Sequence, residues 1–190
     1  AAGFLDHEQV YKNLLDRDQL DAFVQEAHHE QIDTAFVSLD NIKRSSSNDV
    51  TVMEEAMHSF GAVLPELDQF FAEEQEIYQA LAFFDQTYDG KFSSYDKIRF
   101  VRWHENSVDV VPKNGSKAAT ILHLAEQVGI PHEDIISFGD GQNDREMLRM
   151  SGIGIAMGNA VPEVQAEAKM VTDTNDQDGI WKALKELSVI

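Results

Sequence analysis

From Pro112 to its end the chain alternates short apolar runs with amphipathic stretches, and that rhythm fits few architectures. The run 116–128 reads as a helix, with Ile121, Leu122, Leu124, Ala125 and Val128 on one face and Gly129 behind it as a stop. Residues 135–138 read as a buried strand, 145–150 as a helix and 153–157 as a second buried strand. A helix over 162–168, a strand stub at 170–171 and a last helix over 178–187 complete the series. Strands alternating with helices imply a parallel sheet covered on both faces. The part before Pro112 reads differently. Residues 3–11 suggest a hairpin around Asp6 and His7, and a helix follows with Leu20, Phe23, Val24 and Ala27 on one face. Strands are expected at 34–39, 77–84, 98–104 and 107–111. Between them, Ser47, Asn48 and Asp49 offer caps to a helix that runs to about Phe60, where Gly61 stops it. This pattern predicts an α+β unit with an antiparallel sheet over 16–111, preceded by a leading segment at 1–15 and followed by an α/β unit at 112–190.

Bulk properties narrow the partners. The 190 residues carry 34 acids against 15 Lys and Arg, a formal charge of −19, which would repel nucleic acid and anionic membrane. Most of that charge serves solubility. An anionic substrate would need a bound metal and a few placed cations to draw it in. There is no cysteine, so disulfides, thiolate zinc sites and cysteine nucleophiles are excluded, and a reducing cytoplasm suits the composition. No apolar run approaches the ~18 residues of a membrane span, and no signal peptide is visible.

Chemistry concentrates in ISFGDGQNDREM, where Asp140 directly follows a predicted parallel strand. Ligands of open parallel sheets bind beyond the carboxyl ends of the strands. Gly139 and Gly141 let the backbone turn there, and Asn143 and Asp144 fall at the start of the next helix, whose amides favour anions. Two carboxylates four residues apart at such a turn can face one cavity and offer the oxygen ligands that Mg2+ prefers. Taken alone, Asn143 and Asp144 serve equally well as a helix cap and a dipole complement. Lys117 shifts the balance. It opens the preceding helix, where a positive charge opposes the macrodipole, and that points to a task such as holding a phosphoryl oxygen. Gly158 and Asn159 sit where the next strand turns into a helix, adjacent to the first loop, and on their own read as structural rather than catalytic.

Four segments in this order, GSKAATI (115–121), GDGQND (139–144), IAMGNA (155–160) and VTDTNDQDGI (171–180), resemble the Cof-type branch of the haloacid dehalogenase (HAD) superfamily. The resemblance is dense over 112–190 and looser upstream, where the α+β unit is similar to the family's class IIB cap, including IRFVRWH (98–104). It implies an α/β fold, a HAD-like Rossmannoid parallel-sheet core with an inserted α+β cap, and phosphoryl transfer through an aspartyl-phosphate with Mg2+. It implies roles too. Lys117 looks like the cation on the phosphoryl group and nucleophile, Asp140 the direct metal ligand, and Asn143 a polar contact to substrate. Asp144 looks like a catalytic and metal-site carboxylate that orients Lys117 or a metal-bound water.

The family's DxDG[TV] motif, which supplies the nucleophile and the general acid, occurs nowhere in these residues. Asp16-Arg17-Asp18 has the acidic spacing, but it lacks the preceding strand and the Gly-Thr and suits a helix cap. The expectation is therefore an incomplete core, an active parent enzyme, and a chain inactive alone. Its exposed sheet edge would lower stability or allow a homodimer. The reading expected is a phosphatase of small phosphorylated metabolites, with two alternatives: a phosphotransferase or phosphomutase, and a non-catalytic phosphate-binding module. A calcium-loop reading of 174–185 fails, because Lys185 stands where a bidentate Glu is needed. Strict alternation along 98–104 would set Arg102 and His104 on one face of the sheet.

Overall fold

A computed structural model describes residues 1–190, and the chain divides into two compact units. One contains residues 1–2 and 12–115, the other residues 3–11 and 116–190. The chain opens with a hairpin of β1 (Ala2–Leu5) and β2 (Glu8–Lys12). Asp6 and His7 at its tip both take positive φ, 47° and 70°, the geometry of a two-residue turn matched to strand twist.

The first unit then runs α1 (Arg17–His29), β3 (Asp33–Val37), β4 (Ile42–Arg44), α2 (Val50–His58), α3 (Phe71–Glu74), β5 (Gln79–Phe83), β6 (Ile98–His104) and β7 (Ser107–Pro112). Asp16 caps α1 by accepting from the Gln19 amide at 3.1 Å, so the acidic pair Asp16/Asp18 is helix-start chemistry, as expected. Asp49 caps α2 by accepting from the Thr51 amide, also at 3.1 Å. The five strands form one antiparallel sheet in the order β4-β3-β5-β7-β6. The short edge strand β4 and the one-turn α3 are additions to the expected elements.

Period-two alternation sorts this sheet into two faces. Phe36, Ala80, Ala82, Val108 and Val110 join Leu20 and Phe23 of α1 in one core. An aromatic cluster extends it, with Phe23 edge-on to Phe92 at 5.1 Å and to Phe100 at 5.0 Å. Ala35, Leu81 and Phe83 meet Met53, Ala56 and Met57 of α2 on the other face, with Trp103 packed alongside. The register shifts between Arg102 and His104, so alternation fails at the end of β6. Arg102 is spent locally, on Asp89 at 2.5 Å and on the Phe84 carbonyl at 2.9 Å.

The second unit holds α4 (Lys117–Gln127), β8 (Ile136–Gly139), α5 (Arg145–Met150), β9 (Ile153–Ala156), α6 (Pro162–Gln165), β10 (Met170–Val171) and α7 (Gly179–Glu186). Its strands are parallel, in the order β10-β9-β8, so β9 is central and β8 has a strand partner on one edge only. Leu148, Ala156, Ala160 and Val164 make the core where α5 and α6 meet the sheet. The hairpin belongs to this unit, with the rings of Tyr11 and His123 of α4 4.7 Å apart and tilted by 39°. The close passage of α5 over β9 leaves no room at Gly154, where a Cβ would sit 2.0 Å from the Leu148 carbonyl oxygen.

Candidate active site

At the carboxyl end of β8 the chain turns through Gly139-Asp140-Gly141 into a single 3-10 turn, Gln142–Asp144, that runs on into α5. Asp144 organises this turn. Its Oδ2 accepts the amides of Asp140 at 3.1 Å and Gly141 at 3.0 Å, and its Oδ1 accepts Lys117 Nζ at 2.5 Å. Gly139 is required by the same arrangement, since a Cβ there would stand 2.5 Å from the Asp144 Cβ. The Asp144 side chain is 7% exposed and that of Lys117 54%, so the carboxylate is inside and the ammonium reaches out to solvent. Burial alone would push the Asp144 carboxyl up. The lysine and the amides of Gly141 and Asp140 outweigh it and hold the carboxyl below its ordinary range.

Lys117 is the first residue of α4, behind Ser116, which caps the helix by accepting the Ala119 amide at 3.0 Å. Asp144 thus balances a cation that the helix dipole disfavours. Asp140 is exposed, and its Oδ2 accepts Asn159 Nδ2 at 3.0 Å. Asn159 in turn accepts the Asn175 amide at 3.2 Å, which ties the turn after β8 to the turns after β9 and β10. Asn143 is exposed, and its Oδ1 would lie 2.6 Å from a Cβ at Gly141. Below the site, Glu167 is paired with Arg145, through Nε at 2.7 Å, and lies 2.9 Å from Arg149 Nε. That pairing ties α5 to the turn that follows α6.

The structure therefore brings Lys117 and Asp144 into contact and sets Asp140 beside them in the same turn. The sequence sets Asn159 adjacent to this loop, but the bond to Asp140 itself is not readable from the residue pattern. It depends on which turns the sheet order makes neighbours, and the only hint in sequence was an Asn at the end of the next strand.

The donor set suits a hard divalent cation as part of a shell. Asp140 offers a carboxylate not committed to a cation, and Mg2+ is commonly held by one or two carboxylates with water and phosphate oxygens. No group of three or more His, Asp or Glu capable of holding a metal ion occurs in the structure.

Comparison with known proteins decides the family. The haloacid dehalogenase-like hydrolase profile matches residues 3–184. The chain belongs to this family. It is 35% identical over 185 residues to the YkrA phosphatase of Bacillus subtilis, covering 97% of this chain and 72% of YkrA. A Geobacillus kaustophilus protein of known structure superimposes with a TM-score of 0.88 at 38% identity, over 98% of this chain and 73% of that one. The HAD subclass IIB sugar phosphatase BT4131 does so with a TM-score of 0.83 at 30% identity, over 100% of this chain and 74% of that one. The α/β fold expected from the sequence is thus the HAD fold, and the activity class is that of the HAD phosphatases. No helix is long and apolar enough to cross a membrane.

Proposed function

We propose that these residues are part of a Mg2+-dependent phosphatase that hydrolyses small phosphorylated metabolites through an aspartyl-phosphate. What supports the reading most is the lysine–carboxylate pair. Asp144, fixed by two loop amides, holds Lys117 Nζ at 2.5 Å next to an exposed Asp140 at the end of a parallel strand. Phosphoryl transfer asks for this kind of preorganised charge, since its catalysis is mostly positioning and neutralisation.

In the proposed chemistry an aspartate outside these 190 residues attacks phosphorus. The substrate alcohol leaves, and water then releases phosphate from the aspartyl ester. Lys117 neutralises charge on the phosphoryl oxygens and the attacking carboxylate. Asn143 contributes a polar contact on the substrate side. Asp144 keeps Lys117 aimed, and because both of its oxygens are engaged, it touches a metal only through that arrangement or through water. Asp140 would hold Mg2+ directly, with Asn159 fixing the carboxylate plane. When bound, Mg2+ supplies charge neutralisation and orientation of the phosphoryl group. The unpaired edge of β8 is where a further strand would add, either from the same polypeptide or, in these 190 residues alone, from a second copy.

The test uses a longer protein in which a DxDG-bearing segment precedes these residues. It should hydrolyse p-nitrophenyl phosphate with Mg2+, and Lys117→Met should lose that turnover. Full turnover in Lys117→Met would reject the assignment of the lysine.

A further inference from the structure

A second concave site lies within the first unit, on the α2 side of the antiparallel sheet. Its cavity of about 610 Å³ falls in the range of small-molecule pockets. Leu81 forms part of the floor. Trp103 and Phe60 form an aromatic wall, with ring centroids 5.2 Å apart and planes crossing at 84°. Phe60 is 57% exposed at the rim, an unusual position for a large apolar ring that nothing covers.

Charged groups in this cavity carry one sign. Asp109 projects from the middle of β7, opposite Leu81 of β5 and Val101 of β6. Asp40 is the other charged lining residue, and no Lys, Arg or His borders the space. Burial pushes the Asp109 carboxyl up, neighbouring Gln79 and the Trp103 indole pull it partway back, and the net value is about 6. The indole N–H is buried and meets no acceptor at good hydrogen-bond geometry. A half-buried carboxylate without a cationic partner, on a strand otherwise packed with apolar side chains, is costly for folding alone. Supplying a positive charge there would offset that cost, and aromatic walls beside a carboxylate are the usual means of recognising organic cations. An anion would meet two carboxylates and no cation, so charge disfavours phosphate and carboxylate ligands.

We propose that this cavity is a binding site for a small organic ammonium ion with an apolar body, held by Asp109 against the wall of Trp103 and Phe60. The inference does not depend on the phosphatase reading, because every group it uses lies away from Lys117 and the Asp140 turn in sequence and belongs to the other compact unit.

Trp181→Phe leaves Trp103 as the single indole, so its emission reports the cavity. The chain carrying that change is titrated with benzylamine, with the neutral isostere benzyl alcohol, and with benzoate. Benzylamine should give a saturable change with affinity at least about tenfold above benzyl alcohol, and benzoate should give none. In the Asp109→Asn background the benzylamine advantage should vanish while benzyl alcohol binding persists, which also shows that the variant is folded. Benzyl alcohol or benzoate binding as tightly as benzylamine, no saturable response to benzylamine, or undiminished benzylamine affinity in Asp109→Asn would each overturn the proposal. The three-probe comparison on the unsubstituted cavity decides the matter even if Asp109→Asn does not fold.

Discussion

Among the carboxyl groups displaced from ordinary behaviour, Asp144 and Asp109 move in opposite directions, and each makes a testable statement. Asp144 is held below its ordinary range, so it contributes stability above its unfolded value near 3.8, and that contribution is lost as pH falls through its lower folded value. Asp144→Asn should therefore lower the melting temperature at pH 7 and should flatten the acid limb of stability below about pH 4. Chemical denaturation from pH 2 to pH 8 reads both effects. Asp109 has the reverse sign. Its folded value near 6 lies above the unfolded one, so ionising it costs stability, and the cost grows as pH rises through 6. Asp109→Asn should be more stable than the parent at pH 8, by about 1–3 kcal/mol, and nearly equal to it near pH 4. A destabilised Asp109→Asn at pH 8 would show that the carboxylate has a partner. Lys117→Met should cost about 1–2 kcal/mol in addition to any loss of activity, because it leaves a buried carboxylate with amide partners alone.

Elements were mostly legible from periodicity. Residues 98–104 and 145–150 form the expected strand and helix residue for residue, and Asp16 caps where a cap was expected, because these features are set by local pattern. The strand β4 was invisible because Ile42-Lys43-Arg44 has no alternation long enough to see, and pairing with β3 alone makes it extended. The Asp144 turn stands out in the sequence as a candidate site, since its residue types and spacing lie within six consecutive positions. The Asn159 link and the Asp109 cavity were not readable. Each needs strands from distant parts of the chain laid side by side. Packing between elements yields its own test. Gly154→Ala would drive a methyl into the Leu148 carbonyl where α5 crosses β9, and the backbone on both sides is fixed. It should destabilise the second unit by several kcal/mol or abolish its folding, measured by hydrogen exchange at β9 amides. Unchanged protection there would mean that α5 and β9 can separate without cost.

For the whole molecule, the central claim is that the turn after β8 is the cation-handling part of a phosphatase site. These residues span 72% of the YkrA phosphatase and 74% of the BT4131 structure, and the nucleophile motif of the proposed chemistry is not among them. The 190 residues alone should release no phosphate above background. Sedimentation should show them self-associating through the unpaired edge of β8, and a monodisperse high-melting monomer would count against that edge as a reactive surface. The most direct measurement is Mg2+-dependent hydrolysis of p-nitrophenyl phosphate by the longer protein with Asp140 intact and with Asp140→Asn. The account predicts turnover that requires Mg2+ in the first and background release in the second. Equal, Mg2+-dependent turnover in both would contradict it.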